Sequence, residues 1–211
     1  MTLVTRRGLI KGLIAITGST AFSRKVFSRN AMQTILTPRA TEGPFYPSPS
    51  MRLADVDNDL VKVSGLLKEA GGEIIWLKGK VMLKDGKALA GHRIEIWQCD
   101  VNGKYLHPND PRSVIHDNGF QGFGHDITDT QGNYSFRTIK PTAYPGRTPH
   151  IHVKVFEGTR ELLTTQFYIS GDNNNMNDGL YRRMSDKEAQ QVSMVFTENN
   201  NIIETNIDVI I

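Results

Sequence analysis

Residues 150–169 read HIHVKVFEGTRELLTTQFYI. Two runs rich in β-branched and aromatic residues, 150–157 and 161–169, stand on either side of a glycine-led break. This composition and alternation predict strands. Successive side chains of a strand point to opposite faces, so Ile151, Val153 and Val155 share one face, and His150 and His152 share the other. The apolar face must pack, which leaves two imidazoles side by side near the start of the second face.

The same pattern recurs outward from this stretch. GEIIWLKGKVML (72–83), HRIEIWQCD (92–100), NYSFRTIK (133–140) and NIIETNIDVII (201–211) also predict strands, separated by Gly, Asn, Asp and Pro clusters. KDGK and TQGN predict tight turns in which glycine supplies a positive φ. The one helical candidate is SDKEAQQVSMV (185–195), opened by a serine cap with acids in its first turn. Many short strands and few helices predict an all-β protein, a β-sandwich of prealbumin-like type. The proline-rich segment 37–60 is unsuited to a central strand and reads as an arm laid across the sandwich. The expected organisation is a signal and linker over 1–30, an arm over 31–60 and a sandwich domain over 61–211.

Charge excludes one class of partner. The chain of 211 residues carries a net charge of +3. Six of its basic residues, Arg6, Arg7, Lys11, Arg24, Lys25 and Arg29, fall in the first thirty positions without an acid among them. Removing them takes the net charge to about −3, so the folded part has no basic bias and nucleic acid is not an expected partner. The leading stretch TRRGLIKGLIAITGSTAF pairs two arginines with a short apolar run, in the order of a bacterial twin-arginine export signal. The run is too short to span a membrane. The expectation is an exported, periplasmic protein with no stable membrane insertion. A single cysteine, Cys99, excludes an internal disulfide framework and a thiolate metal cluster; it reads as a buried small hydrophobe.

The histidine pair therefore decides the chemistry. His-x-His on a strand presents two cis nitrogen ligands to one metal, although alone it reads equally as two unrelated polar positions. Glu157 is no third ligand, because alternation turns it to the opposite face. Tyr105 and Tyr144 sit beside glycine- and proline-rich turns (NGKYLHPND, AYPG) that can aim a phenol into a cleft. Either alone reads as well as a half-buried structural tyrosine. Arg147 lies between Tyr144 and the histidines; a cation there repels a divalent ion but suits a site that gathers phenolates. Two neutral imidazoles and two tyrosinates describe a hard, highly charged cation, and Fe(III) is the common metal that prefers such donors. The remaining candidates read as structural: His92, His107, His116 and His125 as surface or turn histidines, Asp100 and Asp110 as turn formers, and Trp76 and Trp97 as sheet residues. For Tyr46 in the arm, a pocket-lining and a structural role are equally open.

On GHRIEIWQCDVNGKYLHPND, TDTQGNYSFRTIKPTAYPGR, PHIHVKV and LLTTQFYISGD, preceded by TEGPFYPS, the chain resembles the intradiol ring-cleavage dioxygenases, the family of protocatechuate 3,4-dioxygenase and catechol 1,2-dioxygenase. The resemblance implies a non-haem Fe(III) held by Tyr105, Tyr144, His150 and His152. It makes Tyr144 the ligand that substrate displaces, Arg147 a stabiliser of charge on the ring, and Gln166 a hydrogen-bonding partner behind the ligands. It implies a catechol-type diol and O2 as substrates and a muconate-type diacid as product. Two departures are visible. Only the five residues PGRTP separate Tyr144 from His150, and the helical N-terminal region of the catechol enzymes is missing. The build is closer to a protocatechuate-type subunit core, which leaves open a homo-oligomer or a hetero-oligomer with a related chain. Pocket walls from the arm and from loops around Asn118 and Pro141 are expected to choose the diol. A competing expectation is a non-catalytic prealbumin-like binding module, since fold does not imply function.

Overall fold

A computed structural model describes residues 35–54 and 56–211, so the expected export signal lies outside the described residues. Among the described residues, ten strands form two five-stranded sheets. In the first, β1 (Ile74–Met82) pairs antiparallel with β4 (Asn133–Ile139) along one edge. Its other edge pairs parallel with β9 (Ile202–Asn206) and then β10 (Val209–Ile210), and β8 (Phe196–Asn199) lies outside β9. The second sheet runs β3 (Phe123–Ile127), β2 (Arg93–Trp97), β5 (His150–Glu157), β6 (Arg160–Ile169) and β7 (Ser193–Met194).

The inner faces build the main core as alternation dictates. Leu77 and Val81 of β1 and Phe136 of β4 meet Ile94, Ile96, Ile151, Val153, Val155 and Phe167 of the second sheet, all fully buried. Each such side chain contributes about 1.5–3 kcal/mol on burial. The architecture is the β-sandwich that the strand pattern predicts.

The strand over 150–157 matches its expected bounds, and Gly86 and Gly132 take positive φ in the two expected turns. Three expectations change. The segment 201–211 is two strands, because at Ile207 the chain turns inward. Ile207 N donates to Lys78 O, and its carbonyl accepts from Tyr134 Oη at 2.7 Å. Gly79 makes room for this, since a Cβ there would stand 1.8 Å from Ile207 O. The helix is only α1 (Asp186–Gln191); its capping box of Ser185 and Glu188 is present, but Ser193 and Met194 pair with Tyr168 and Ile169 as a strand. Strand β3, FGHDI, is absent from the sequence expectation, and so are β7 and β8.

The arm, residues 35–60 as far as described, carries no strand of its own. Thr37 N donates to Ile210 O, Ala40 N to Thr164 O, and Thr165 Oγ1 to Pro38 O. The arm thus passes from the last strand of one sheet to β6 of the other. It then crosses the outer face of the second sheet, where Phe45, Tyr46 and Val56 pack on a separate cluster of Trp97, Cys99, Tyr105 and Phe123. Strand β5 is consequently buried on both faces: His150 and His152 are 1 % exposed.

Candidate metal centre

Each candidate ligand is placed by a different local device. His150 and His152 begin β5, opposite Tyr168 and Gln166 of β6. His152 also lies opposite Trp97 of β2, and the two rings stack with centroids 4.7 Å apart. Tyr105 follows the turn after β2. Asp100 closes that turn by accepting from Asn102 N and Lys104 N, and Asp110 accepts from Tyr105 N at 2.9 Å. Phe45 of the arm stacks on the Tyr105 ring at 4.4 Å. Tyr144 sits in the connection from β4 to β5, where Arg147 N donates back to Tyr144 O.

These devices bring all four side chains together. The Nε2 atoms of His150 and His152 are 3.2 Å apart. The Tyr144 ring is 5.5 Å from both the Tyr105 and His150 rings, and Tyr105 is 6.4 Å from His152. His150 Nδ1 lies 2.7 Å from Thr148 O, which fixes the proton on Nδ1 and presents the Nε2 lone pair to the centre. Tyr105 Oη and His152 Nδ1 are buried with no hydrogen-bond partner among the described residues. Burial lowers the His150 pKa to about 4, with Arg147 adding to the effect; His152 is pushed well below its usual value by burial, His150 and Arg147. Both imidazoles are therefore neutral at pH 7. Burial raises both phenols, so neither ionises there without a cation to hold the charge.

This donor set fits a hard metal ion. Two imidazole nitrogens bound cis to one ion stand about 3 Å apart, and the converging lone pairs here match that spacing. An enclosed phenol without a partner costs about 1–3 kcal/mol, which a metal–phenolate bond would relieve.

Behind the ligands lies a second layer of contacts. Arg147 donates from Nη2 to Gln166 Oε1 at 2.6 Å, from Nη1 to Tyr144 Oη at 3.4 Å and from Nε to Asp178 Oδ2 at 2.7 Å. Gln166 in turn donates to Thr41 O of the arm and accepts from Tyr168 Oη. Asp178 lies in the loop DNNNMND, which carries no sequence signal for the centre. It is buried, and besides Arg147 it accepts from the backbone N–H groups of Thr148, Leu180 and Tyr181. Phe45 was missed too; its only signal was its place in the TEGPFYPS arm.

Other candidates fall outside the centre. Tyr46 Oη donates to Glu95 Oε2 at 2.6 Å and its ring packs on Trp97, a structural post under the arm. Cys99 is buried against Tyr105 and Thr142, and burial raises its thiol to about 11. His107 Nδ1 accepts from Asn109 N at 3.1 Å and its ring meets Phe45 edge-on, with centroids 5.9 Å apart. His92 and His116 lie in connections and His125 on the edge strand β3. Glu157 is exposed and pairs with Arg160.

The Dioxygenase family profile matches residues 41–211, which includes the whole centre. This chain belongs to the intradiol dioxygenase family. Among its relatives is the protocatechuate 3,4-dioxygenase beta chain of Burkholderia cepacia, 38% identical over 130 residues, which are 57% of this chain and 54% of that protein. Another is catechol 1,2-dioxygenase 1 of Acinetobacter lwoffii, 32% identical over 64% of this chain and 47% of that protein. The chain spans about half the length of the curated relatives it matches. Among solved structures, the dioxygenase domain of a dioxygenase carbohydrate-binding protein fusion from Streptomyces sp. SirexAA-E is 30% identical, with a TM-score of 0.63 over 84% of this chain and 98% of that one. An intradiol ring-cleavage dioxygenase from Tetranychus urticae shares the fold at 19% identity, with a TM-score of 0.66. In this family member the buried His-x-His pair and the two phenols lie against one another.

Proposed function

We propose that this protein cleaves an aromatic ortho-diol between its two hydroxylated carbons, with O2 as oxidant and both oxygen atoms retained in a muconate-type diacid. The observation that carries the reading is the convergence of two neutral imidazole Nε2 atoms, 3.2 Å apart, with one buried phenol, Tyr105, and one half-buried phenol, Tyr144. Tyr105, Tyr144, His150 and His152 would hold a non-haem Fe(III). Such an ion would supply a Lewis acid that activates the bound diol toward O2.

The residues of the chain divide the remaining work. Tyr105 is 3 % exposed, stacked under Phe45 and pinned through its backbone to Asp110, so it is the fixed phenol. Tyr144 is half-buried on a loop, so it is the phenol free to leave when the diol arrives. A diol sheds two protons on binding, and Tyr144 Oη is a place to hold one of them. Arg147 Nη1 already points to that oxygen and would steady it. Arg147 also sets a positive charge beside the reacting ring, where it favours the anionic transition state. Gln166 holds the guanidinium in place from behind. Phe45 covers Tyr105, and Gly43 brings the arm against His152, where a Cβ would stand 3.4 Å from Cε1; together they exclude water from the fixed side. The Arg6-Arg7 pattern supports export to the periplasm in the folded state.

The test is the visible spectrum of purified, iron-reconstituted protein before and after anaerobic catechol. The expected result is a tyrosinate-to-iron charge-transfer band that moves to longer wavelength when the diol binds. A colourless iron-treated protein would sink the reading and leave a binding module.

A further inference from the structure

A cavity of about 260 Å³ opens beside Tyr144 and Arg147. Its other walls include Gly146 from the short PGRTP connection and Asn174, Asn177 and Asp178 from the DNNNMND loop. Gly146 is exposed, and nothing lies within 4 Å of a Cβ added there, so the cavity meets solvent at this edge. The cavity that touches Tyr105 on its other side is only about 10 Å³. A substituent on a bound diol therefore finds far more room beside Tyr144 than in this cavity beside Tyr105.

The charges around this space are already matched. Among the described residues Arg147 is the only cation in its lining, and Asp178, whose side chain is 0 % exposed, accepts a hydrogen bond from Nε at 2.7 Å. The Arg147 nitrogens Nη1 and Nη2 are engaged by Tyr144 and Gln166. Arg112 lies over the outer side of the Tyr144 ring, but it is bound to Asp110 and to Gly103 O and does not line the cavity. Lys104 is turned to the carbonyls of Asp110 and Arg112. The rest of the wall, with Ala143, Thr148, Asn174 and Asn177, carries no charge.

We infer that the substrate is an uncharged ortho-diol, one whose ring substituent is neutral, and that the Arg147–Asp178 pair makes the site discriminate against a ring carboxylate. This rests on the dioxygenase reading above. A carboxylate entering the cavity would leave water and meet an arginine whose donors are already committed to Asp178, Tyr144 and Gln166, beside a buried aspartate of its own sign. Neutral hydroxyl, alkyl or ether groups suffer no such cost and find Asn174 and Asn177.

The test compares 4-methylcatechol with protocatechuate, which place a methyl group and a carboxylate on the same ring carbon, using iron-loaded full-length protein at pH 7. The expected ratio of kcat/KM favours 4-methylcatechol by at least about tenfold. Asp178→Asn, which frees the charge of Arg147, should move the ratio at least about threefold toward protocatechuate. Asn177→Lys adds an unpaired cation at an exposed wall position and should move it the same way, so a folding defect in the first variant does not blunt the test. Protocatechuate turned over as well as 4-methylcatechol, or a ratio that Asn177→Lys leaves unmoved, overturns the inference while leaving the dioxygenase reading intact. Cleavage of neither diol by the wild-type protein overturns both.

Discussion

The Tyr105 hydroxyl is enclosed and makes no close hydrogen bond among the described residues, so Tyr105→Phe separates two roles that usually fail together. Metal-free protein loses no hydrogen bond in this variant and should be as stable as wild type, or more stable by about 1 kcal/mol. Iron binding and the charge-transfer band should disappear. Denaturant titration of the metal-free proteins and iron stoichiometry check the two halves; a loss of stability in the metal-free variant would show that the phenol has a protein partner after all. Asp110 works in the opposite sense. Its carboxyl is held far below the usual carboxylate range by Arg112, against a burial cost and with help from Tyr105 N. A lowered folded-state pKa means that its stabilisation is complete above the unfolded value of about 4 and fades as pH falls through the folded one. Asp110→Asn should therefore cost about 2–3 kcal/mol at pH 7. The gap from wild type should narrow steadily below about pH 4, which urea titrations across that range would follow.

At the scale of the element, β5 is the part most legible in the sequence, because alternation depends only on neighbours. HIHVKVFE becomes β5 residue for residue, and both histidines share a face as read. What stays hidden is whatever distant chain decides. Strand β3 contains glycine, histidine and aspartate, poor strand formers, and exists because β2 pairs with it across five residues. The break at Ile207 depends on Gly79 and Tyr134, which no local window around 207 contains. The role of Asp178 depends on its burial beneath Arg147, and a run of asparagines gives no sign of that. The seating of the arm rests on a similar long-range fit at Gly124 of β3. A Cβ there would stand 2.4 Å from Leu60 Cδ1 and 2.6 Å from Asp57 O. Gly124→Ala should cost about 3 kcal/mol by overpacking and weaken iron retention, because the arm carries Phe45 over Tyr105. Thermal denaturation and an iron off-rate measured with a chelator would detect both; unchanged iron retention would mean that the arm does not guard the centre.

For the whole molecule, the four ligand candidates come from the turn after β2, the β4–β5 connection and β5 itself, segments that meet only in the folded state. Iron that binds the native chain and not the unfolded one stabilises it through mass action, by about 2.7 kcal/mol when free metal is one hundred times the dissociation constant. Stripping the metal should lower Tm by about 5–10 °C in a chain of this size. Scanning calorimetry of loaded and stripped protein would register the shift, and Tyr105→Phe should show none on adding iron.

The contact between Thr37 and Ile210 sets a schedule. Thr37 N donates to Ile210 O, and Ile210 N to Thr37 Oγ1, across 173 residues. A ribosome makes the arm first, then β6, and β10 later still. Until β10 emerges, the arm is fastened only to β6, through Pro38, Ala40 and Thr41. Phe45 and Gly43 then lie over the histidines on an arm held at one sheet alone. Emergence of β10 and locking of the arm thus coincide, and a nascent or 3′-truncated product without β10 should reach the quality-control machinery with its arm half-fastened and its imidazoles more open to water.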